Sequence, residues 1–378
     1  MPKKQRVICA MSGGVDSSVA AAILKRRGFE VIGIFMKLWA ENRSGLSTSL
    51  DFTRDKSLEV KENTCCSLEA VTAARAVANK LSIPFYVVDL EKEFKKAVVD
   101  YYIEEYDAGR TPNPCVICNR DIKGEILMRK VLEMKADFLA TGHYARIKKI
   151  EKRKSKIEYQ LLQAVDENKD QTYFLWTLRQ DQLAKLLFPI GDFTKPDVRK
   201  MAQKLGLPTA ERKESQGICF IPDRDVCGFL ARHAKKLKKP GPVVNMKGDK
   251  LGQHFGLLNY TIGQRERLGI GGPKAYYVVK LDVGKNVLVV GDEKDLHRQK
   301  LIATDLNWIR DIPIEQIKLS ALGGRIRYGH GIENCKIAFL KNKQIKVIFD
   351  EPQRAVTPGQ SIVFYQGKEV LGGAVIEN

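Results

Sequence analysis

Residues 7–35 read VICAMSGGVDSSVAAAILKRRGFEVIGIF, and this stretch decides the fold of the N-terminal half of the chain. An apolar run ends at a glycine pair, and a helical pattern then leads to a second apolar run. Such a turn directs free backbone N–H groups and the positive end of a helix at one point, which suits a phosphate. Gly13 and Gly14 allow close backbone approach, and the hydroxyls of Ser12, Ser17 and Ser18 could donate to phosphate oxygens.

The turn differs from the two most familiar nucleotide motifs. It lacks the lysine of a Walker loop and the glycine spacing of a dinucleotide loop. Asp16 would repel a pyrophosphate unless a cation intervened, so we expect it to help hold Mg²⁺ there. A purely structural turn, with Ser or Asp as the helix N-cap, is the alternative. Its position after the first strand of an α/β sheet favours the ligand site.

The remaining apolar runs predict the domain organisation. Runs at 31–36, 85–90 and 138–141 alternate with helical sequence, which predicts a parallel sheet covered on both faces. Polar residues 41–64 interrupt this rhythm and are expected to form an insertion or lid. From about Lys274 onward, short apolar runs alternate with turn residues, as in a β-barrel or sandwich. We therefore predict a catalytic domain at 1–205, a small central domain at 206–275 and a C-terminal β-barrel at 276–378.

Charge and cysteine usage narrow the possible partners and compartment. The net charge of +19 favours a polyanion such as nucleic acid, or an anionic membrane surface, over a neutral partner, although a solvated basic surface would also explain it. No apolar run reaches the roughly 18 residues of a membrane span, and MPKKQR does not resemble a signal peptide. Eight cysteines are too few for a secreted disulfide scaffold. We expect a cytosolic protein with no membrane partner.

Two stretches place thiols in reactive surroundings. In AGRTPNPCVICNRDIKGEIL, residues 108–127, two prolines stiffen a loop and Cys118 precedes a helical segment. The helix start and nearby Arg110, Arg120 and Lys123 would lower the pKa of that thiol. In ESQGICFIP, residues 214–222, Cys219 sits in a short apolar run.

Other interpretations of the cysteines remain. Cys9, Cys227 and Cys335 are expected to be small buried side chains. A zinc site is disfavoured because the chain has a single C-x-x-C pair and five histidines. An iron–sulfur cluster with one open iron, held by Cys115, Cys118 and Cys219, stays open as an alternative.

Eight collinear stretches extend the pattern over essentially the whole chain: AMSGGVDSSVAA, IGIFMKLW, CCSLEAVTAAR, GRTPNPCVICN, ATGHYARI, KDQTYFLW, ESQGICFIP and YTIGQRERLGIGG. The first resembles the pyrophosphate loop of the ATP pyrophosphatases, and together they resemble the bacterial-type tRNA-specific 2-thiouridylases. The resemblance implies an adenine nucleotide alpha hydrolase-like α/β domain followed by a central domain and a β-barrel. It also implies that ATP and a protein persulfide are used to convert the wobble uridine in the tRNA anticodon loop to 2-thiouridine.

The resemblance assigns roles to particular positions. Cys118 matches the nucleophile, and Cys219 matches the cysteine that carries the persulfide. The matched ATP-binding positions are Ala10, Met11, Ser12, Gly13, Gly14, Val15, Asp16, Ser17, Met36 and Gly142. The matched tRNA-contact positions are Asn113, Pro114, Cys115, His143, Lys169, Asp170, Gln171, Arg327, Tyr328 and Gln360. Some members have Asp where this chain has Cys115, which leaves the acid or base of the reaction unassigned.

The implied chemistry makes further expectations. The uridine oxygen would attack the α-phosphate of ATP, sulfur would replace the resulting adenylate, and the two cysteines would end as a disulfide. We expect the segment around Cys219 to order over the site when tRNA binds. Two other functions compete: a related ATP-dependent synthetase or amidating ligase, and a non-catalytic tRNA-binding module with a degenerate nucleotide loop. An iron–sulfur-dependent tRNA thiolase is a further alternative.

Overall fold

The computed structural model describes residues 4–41, 68–151, 157–214, 217–221, 224–271, 275–311 and 322–378. The predicted insertion at 41–64 therefore lies, except for Glu41, outside the described residues. Strands and helices are numbered below in chain order.

A five-stranded parallel sheet forms the N-terminal domain, as predicted. Its strands are β1 (Arg6–Ala10), β2 (Glu30–Lys37), β3 (Phe85–Asp89), β4 (Phe138–Ala140) and β7 (Leu186–Leu187). The spatial order is β3-β2-β1-β4-β7, so the chain runs to one side of β1 and later returns to the other. In open α/β sheets this reversal opens a crevice at the carboxyl ends of the two central strands. The ends of β1 and β4 are thus the expected ligand edge.

Helices cover both faces of this sheet. They are α1 (Val15–Arg26), α2 (Leu68–Lys80), α3 (Glu91–Phe94), α4 (Tyr101–Asp107), α5 (Pro114–Ile117), α6 (Met128–Glu133), α7 (Gln180–Leu183) and α8 (Lys195–Lys204). Two π-helical segments, Lys95–Asp100 and Cys118–Leu127, join α3 to α4 and α5 to α6. Alternate residues of β1 enter opposite cores: Ile8 packs in one cluster, and Val7 and Cys9 in the other. Burial on both faces explains why the strand sequences are continuously apolar.

A small four-stranded sheet forms a second unit, preceded by α9 (Val226–His233). Its strands are β8 (Gly241–Val244), β9 (Lys250–His254), β10 (Tyr277–Asp282) and β11 (Val287–Gly291). Residues 276–291 were predicted to belong to the C-terminal β-barrel, but β11 pairs with β8 in the small sheet. Apolar alternation alone does not reveal the partner of a strand, because both sheets offer similar half-buried faces. The exact domain boundaries stay a prediction.

The C-terminal strands form a closed barrel, as predicted. They are β12 (His297–Trp308), β13 (Leu322–Arg325), β14 (Glu333–Phe339), β15 (Ile345–Arg354), β16 (Ser361–Gln366) and β17 (Glu369–Ile376). They pair antiparallel in the order β12-β15-β14-β13-β16-β17, and a further pairing of β12 with β17 closes the ring. In the described part of the chain, 3₁₀ turns are found at Thr172–Phe174, Leu257–Asn259 and Glu293–Leu296.

A hairpin from the N-terminal half joins this barrel sheet. Strands β5 (Ala145–Glu151) and β6 (Ile157–Gln163) pair with each other, and β6 pairs with β17. The basic residues Lys148 and Lys149 lie within strand β5. Tertiary pairing supplies their backbone partners and overrides the local composition. The hairpin fixes the barrel against the domain that carries the glycine turn.

Across the described ranges, we find no helix whose length and apolar content would let it cross a membrane.

Candidate active site: a glycine loop beside a cavity of thiols

The glycine turn lies where β1 ends and α1 begins. Gly14 is the N-cap of α1 and has no side-chain cap, so the alternative in which a Ser or Asp side chain caps the helix is wrong. Gly13 has φ +75°, a left-handed conformation that favours glycine. A side chain there would also clash with the Ala70 carbonyl group, whose carbon would lie 3.0 Å from the new Cβ. Both the positive φ and the close approach of Ala70 therefore favour glycine at position 13.

The three serines of the turn have different roles. Ser12 is exposed, so its hydroxyl is available to a ligand. Ser18 is fully buried and donates to the Gly14 carbonyl oxygen at 2.8 Å, so its predicted role as a phosphate donor is wrong. Ser17 is buried too; it donates to the same oxygen at 3.2 Å and accepts from the Ser12 N–H at 3.2 Å. Ser17 and Ser18 thus hold the loop in shape.

Gly142 stands on the other side of the crevice, after β4. A Cβ at this position would lie 2.7 Å from the Ser17 nitrogen and 2.9 Å from the Asp16 carbonyl carbon. Only glycine lets these two turns touch, since both neighbours are backbone atoms. Met36, half-buried near the end of β2, completes the same edge. The other matched positions, Ala10, Met11 and Val15, are buried and support the loop from below. A direct contact of each with ATP stays a prediction.

Asp16 is held by a buried lysine. Lys195 Nζ donates to both Asp16 carboxylate oxygens at 2.8 Å, and the Tyr144 hydroxyl donates to one of them at 2.9 Å. Burial and the nearby Asp16 charge raise the pKa of Tyr144 far above its usual range, so the hydroxyl stays a donor. Within the described ranges, no group of three or more His, Cys, Asp or Glu side chains could hold a metal ion. The expected role of Asp16 in holding Mg²⁺, with phosphate oxygens or water as further ligands, stays a prediction.

A cavity of about 240 Å³ brings the two matched cysteines together. Cys118 and Cys219, far apart in sequence, both line it. Five further positions of the matched set or its neighbours also line it: Pro114, Cys115, His143, Gln171 and Phe174. Both sulfur-bearing segments therefore contribute to the lining of one pocket. Whether the Cys219 segment orders only with tRNA stays a prediction.

Aromatic packing fixes the Cys219 side of the cavity. Phe220 is 1% exposed, and its ring lies 5.8 Å from that of Phe94 and 5.4 Å from that of Tyr102. Because residue 220 is anchored in this core, its neighbour Cys219 is held at the cavity wall. Cys118 packs on the same core from the start of the π-helical segment.

A polar group of side chains forms the opposite wall. Lys123 Nζ donates to Asn119 Oδ1 at 2.9 Å and to His143 Nε2 at 3.2 Å, while His143 Nδ1 donates to Thr141 Oγ1 at 2.5 Å. Burial, together with the Lys123 charge, lowers the pKa of His143 well below its usual value, so the ring is neutral. Lys123 was expected only to lower the pKa of the Cys118 thiol, and Asn119 was not predicted as a site residue. The i, i+4 spacing of Asn119 and Lys123, which places both side chains on one face of a helix, was the available signal.

The barrel supports the loop that carries the matched Asn113, Pro114 and Cys115. Gln360 is 9% exposed, and its Nε2 donates to the carbonyl oxygen of Thr111 at 2.8 Å and of Pro112 at 3.4 Å. These two hydrogen bonds engage the amide nitrogen of Gln360 and hold this loop in position. The loop itself leads into the helix that holds Cys118.

An aromatic pair extends from the cavity to the surface. Tyr328 is 42% exposed, and its ring centre lies 4.6 Å from that of Phe174, which lines the cavity. The matched Arg327 is the preceding residue, partly exposed on the loop after β13. An exposed ring beside a basic side chain offers a face on which a base can stack.

The matched segment 169–171 mostly faces inward. Asp170 is 1% exposed and accepts from Thr172 Oγ1 at 2.8 Å and pairs with Arg325 at 3.5 Å. Gln171 Oε1 accepts from the Tyr144 N–H at 3.0 Å. The Asp170 side chain thus stabilises this turn in the structure, and its contact with tRNA stays a prediction. Lys169 is half-exposed and pairs with Glu214 at 2.8 Å.

Two of the three cysteines that were expected to be buried, Cys9 and Cys335, are buried, and Cys227 is not. Cys9 and Cys335 are buried, and burial raises the pKa of each to about 12. Both thiols therefore stay protonated and unreactive near neutral pH. Cys227 is half-buried in α9.

Three family models match successive parts of the chain. A tRNA methyl transferase HUP domain matches residues 5–223, a tRNA methyl transferase PRC-barrel domain 228–292, and an aminomethyltransferase β-barrel domain 298–376. The tRNA-specific 2-thiouridylase MnmA of Geobacter metallireducens is 45% identical over 99% of this chain and 97% of its own. That of Geotalea uraniireducens is 47% identical over 100% and 96%. A 4-thiouridine synthetase solved with RNA and ATP is 18% identical with TM-score 0.36 over 60% of this chain and 50% of its own, too low to bear on function.

A parallel sheet with a glycine loop at its switch point, joined to two β domains, defines a HUP-domain protein of the tRNA-modifying class. The high identity over nearly the whole length narrows this class further. The chain belongs to the tRNA-specific 2-thiouridylase MnmA family.

Proposed function

We propose that this protein is a tRNA-uridine 2-sulfurtransferase that uses ATP to convert the wobble uridine of tRNA to 2-thiouridine. One observation carries the proposal. The turn after β4 joins the two halves of the site: Gly142 packs on the glycine loop, and the next residue, His143, lines the cavity that contains Cys118 and Cys219. A base held in this cavity would have a nucleotide loop on one side and two thiols on the other.

The first step activates the base. The C2 oxygen of uracil is a poor leaving group, so it attacks the α-phosphate of ATP and pyrophosphate leaves. The backbone N–H groups of the glycine loop and the start of α1 stabilise the departing charge. Asp16, with Mg²⁺ bound to the phosphates, would assist, and Mg²⁺ would supply the charge neutralisation that phosphate transfer needs. The base must leave the stacked anticodon loop to reach this position.

The second step transfers sulfur. The terminal sulfur of a Cys219 persulfide attacks C2, AMP leaves, and a disulfide links Cys219 to the base. The Cys118 thiolate then attacks the Cys219 sulfur, which breaks that link, releases 2-thiouridine and forms a Cys118–Cys219 disulfide. Cys118 could instead reduce the persulfide first, to hydrosulfide, with the same disulfide as product. An external dithiol must then reopen it, and a sulfur-relay protein must reload Cys219.

Charged and neutral groups in the cavity have separate parts. We assign to Lys123 the stabilisation of thiolate and of the oxygen that departs with AMP, because its ammonium lines the cavity with both cysteines. Neutral His143 orients that ammonium through its ring nitrogen. Cys115 replaces the Asp of some relatives, so carboxylate acid–base chemistry at this position is not available to this chain.

An iron–sulfur version of the reaction remains the second candidate because Cys115, Cys118 and Cys219 all line the cavity. However, the described part of the chain contains no set of three such side chains fit to hold a metal, so no step is derived through a cluster. Iron content and visible absorbance after anaerobic purification decide between the two. We expect less than one iron per chain and full activity without it. The reaction on tRNA is expected in the cytoplasm.

The test measures two products in one incubation. With ATP, a persulfide donor and tRNA, wild-type protein should release pyrophosphate and yield 2-thiouridine by nucleoside mass spectrometry. Omitting tRNA should abolish pyrophosphate release. Equal release without RNA would favour a small-molecule synthetase, and no release with any tRNA would favour a non-catalytic binding module.

A further inference from the structure

The segment that leads to Cys219 is tied to the glycine loop by a chain of ion pairs. Glu214, the last described residue before the Gly217–Ile221 stretch that contains Cys219, uses its two carboxylate oxygens on two different lysines. One oxygen lies 3.0 Å from Lys195 Nζ and the other 2.8 Å from Lys169 Nζ. Hydrogen bonds from Lys169 and Lys195 lower the pKa of Glu214 to about 2, so it is charged at any working pH.

Lys195 is shared between this carboxylate and the nucleotide loop. Its side chain is 8% exposed, and it donates to both oxygens of Asp16 at 2.8 Å while pairing with Glu214. An ammonium group has three N–H donors, and Lys195 uses two of them on Asp16 while it also forms the ion pair with Glu214. A displacement of Asp16 when phosphates enter the loop therefore displaces Lys195 and changes its ion pair with Glu214.

A second link runs in parallel. Arg212 Nη1 donates to the Gly13 carbonyl oxygen at 3.3 Å, and Arg199 Nη1 donates to the Arg212 carbonyl oxygen at 3.4 Å. Residues 212–214 thus contact the glycine loop directly at Gly13. They also reach Asp16 indirectly, through Lys195. We call residues 212–214 the strap.

We propose that Glu214 is a positioning residue that couples adenylation of the base to sulfur transfer, a role that rests on the proposed function. The strap fixes the origin of the Cys219 segment relative to the glycine loop, while Phe220 anchors its other end in the aromatic core. The described chain thus has an anchored contact on each side of Cys219, at residues 212–214 and at Phe220. Without the carboxylate, the adenylate still forms, but sulfur reaches it less often and water hydrolyses it back to uridine.

The neutral variant Glu214→Gln keeps the size of the side chain and removes its charge. Because Glu214 contacts neither base nor nucleotide in this account, pyrophosphate release should stay within about threefold of wild type. The yield of 2-thiouridine per pyrophosphate should fall by about tenfold or more, since small displacements of a reacting group are costly. Glu214→Asp, which restores the charge on a shorter stem, should recover part of this ratio.

A matched control lies on the same stretch of chain. Glu211 is exposed and accepts from Gln203 Nε2 at 3.0 Å, away from both lysines. Glu211→Gln makes the same chemical change and should leave the product ratio at the wild-type value. Thermal melting of all variants, and mass spectrometry of Cys219 persulfide after loading, separate misfolding and poor loading from poor transfer.

The outcomes are distinct. A normal ratio of 2-thiouridine to pyrophosphate in Glu214→Gln overturns the coupling role, and so does an equal loss of both products. A failure of wild-type protein to make 2-thiouridine in the same assay would overturn the proposed function instead. A lowered ratio with normal persulfide loading, partly restored by Asp, supports the inference.

Discussion

Substitution of Gly13 by alanine is the sharpest test of the nucleotide loop. Its φ of +75° costs a non-glycine residue about 1–2 kcal/mol. The added methyl group would also press on the Ala70 backbone, and such overpacking costs about 1–3 kcal/mol. The helix α2 that contains Ala70 is packed in the core, so the glycine loop is the part that yields.

Gly28 provides the matched control for this change. It also has a left-handed backbone, with φ +89°, but no atom lies within 4 Å of a Cβ built there. Gly28→Ala should therefore carry only the backbone cost of about 1–2 kcal/mol. The difference between the two variants isolates the contact with Ala70, of about 1–3 kcal/mol.

Two assays read the effect. Thermal melting should rank the variants wild type, then Gly28→Ala, then Gly13→Ala. In tRNA-dependent pyrophosphate release, Gly13→Ala should lose about tenfold to a hundredfold in kcat/KM for ATP, because the loop is displaced from the phosphates. Gly28→Ala should keep wild-type kinetics. Equal melting temperatures, or an unchanged kcat/KM for ATP in Gly13→Ala, would refute the reasoning.

Further predictions concern the tRNA surface and the thiols. Tyr328→Ala should raise the KM for tRNA by the equivalent of about 1–3 kcal/mol of lost stacking, while Tyr328→Phe should not, as steady-state kinetics would show. Gln360→Ala removes the hydrogen-bond donor to the carbonyl oxygens of Thr111 and Pro112, so it should lower thiolation more than pyrophosphate release. If both products form at wild-type levels when they are measured in one assay, the positioning role is contradicted. In folded protein at pH 8, Cys9 and Cys335 should resist alkylation, because a pKa of about 12 leaves about one thiol in ten thousand ionised; rapid labelling in peptide mass spectrometry would contradict their burial.

The sequence predicted where the strands lie better than it predicted which strands pair with each other. Apolar runs located the strands of the parallel sheet because burial on both faces leaves little room for polar residues. The barrel was predicted from alternation alone. The structure pairs Tyr277–Asp282 and Val287–Gly291 within the small sheet, although the predicted boundaries placed them with the barrel, and the β5–β6 hairpin was missed. Both errors have one cause: the choice of a partner strand is a long-range contact that local composition does not encode.

The site was predicted in outline and corrected in detail. The resemblance located both thiols and the glycine loop, and the structure brings the two thiols into one cavity. The resemblance did not reveal that Asp16 is paired with Lys195, or that Glu214 shares this lysine. Asp16 and Lys195 are 179 positions apart, so their ion pair leaves no local pattern in the sequence. Ser18 was misjudged for a related reason: a hydroxyl next to a phosphate loop can equally serve its own backbone, as it does here.

The account depends most on the convergence of Cys118 and Cys219 on one activated base. Persulfide-loaded protein should be given ATP and tRNA for a single turnover without reductant, then digested and mapped by non-reducing mass spectrometry. A Cys118–Cys219 disulfide should appear in proportion to 2-thiouridine, and Cys219→Ser should form neither while Cys227→Ser forms both. Normal 2-thiouridine in the Cys219→Ser variant, or turnover that leaves no such disulfide, would contradict the account.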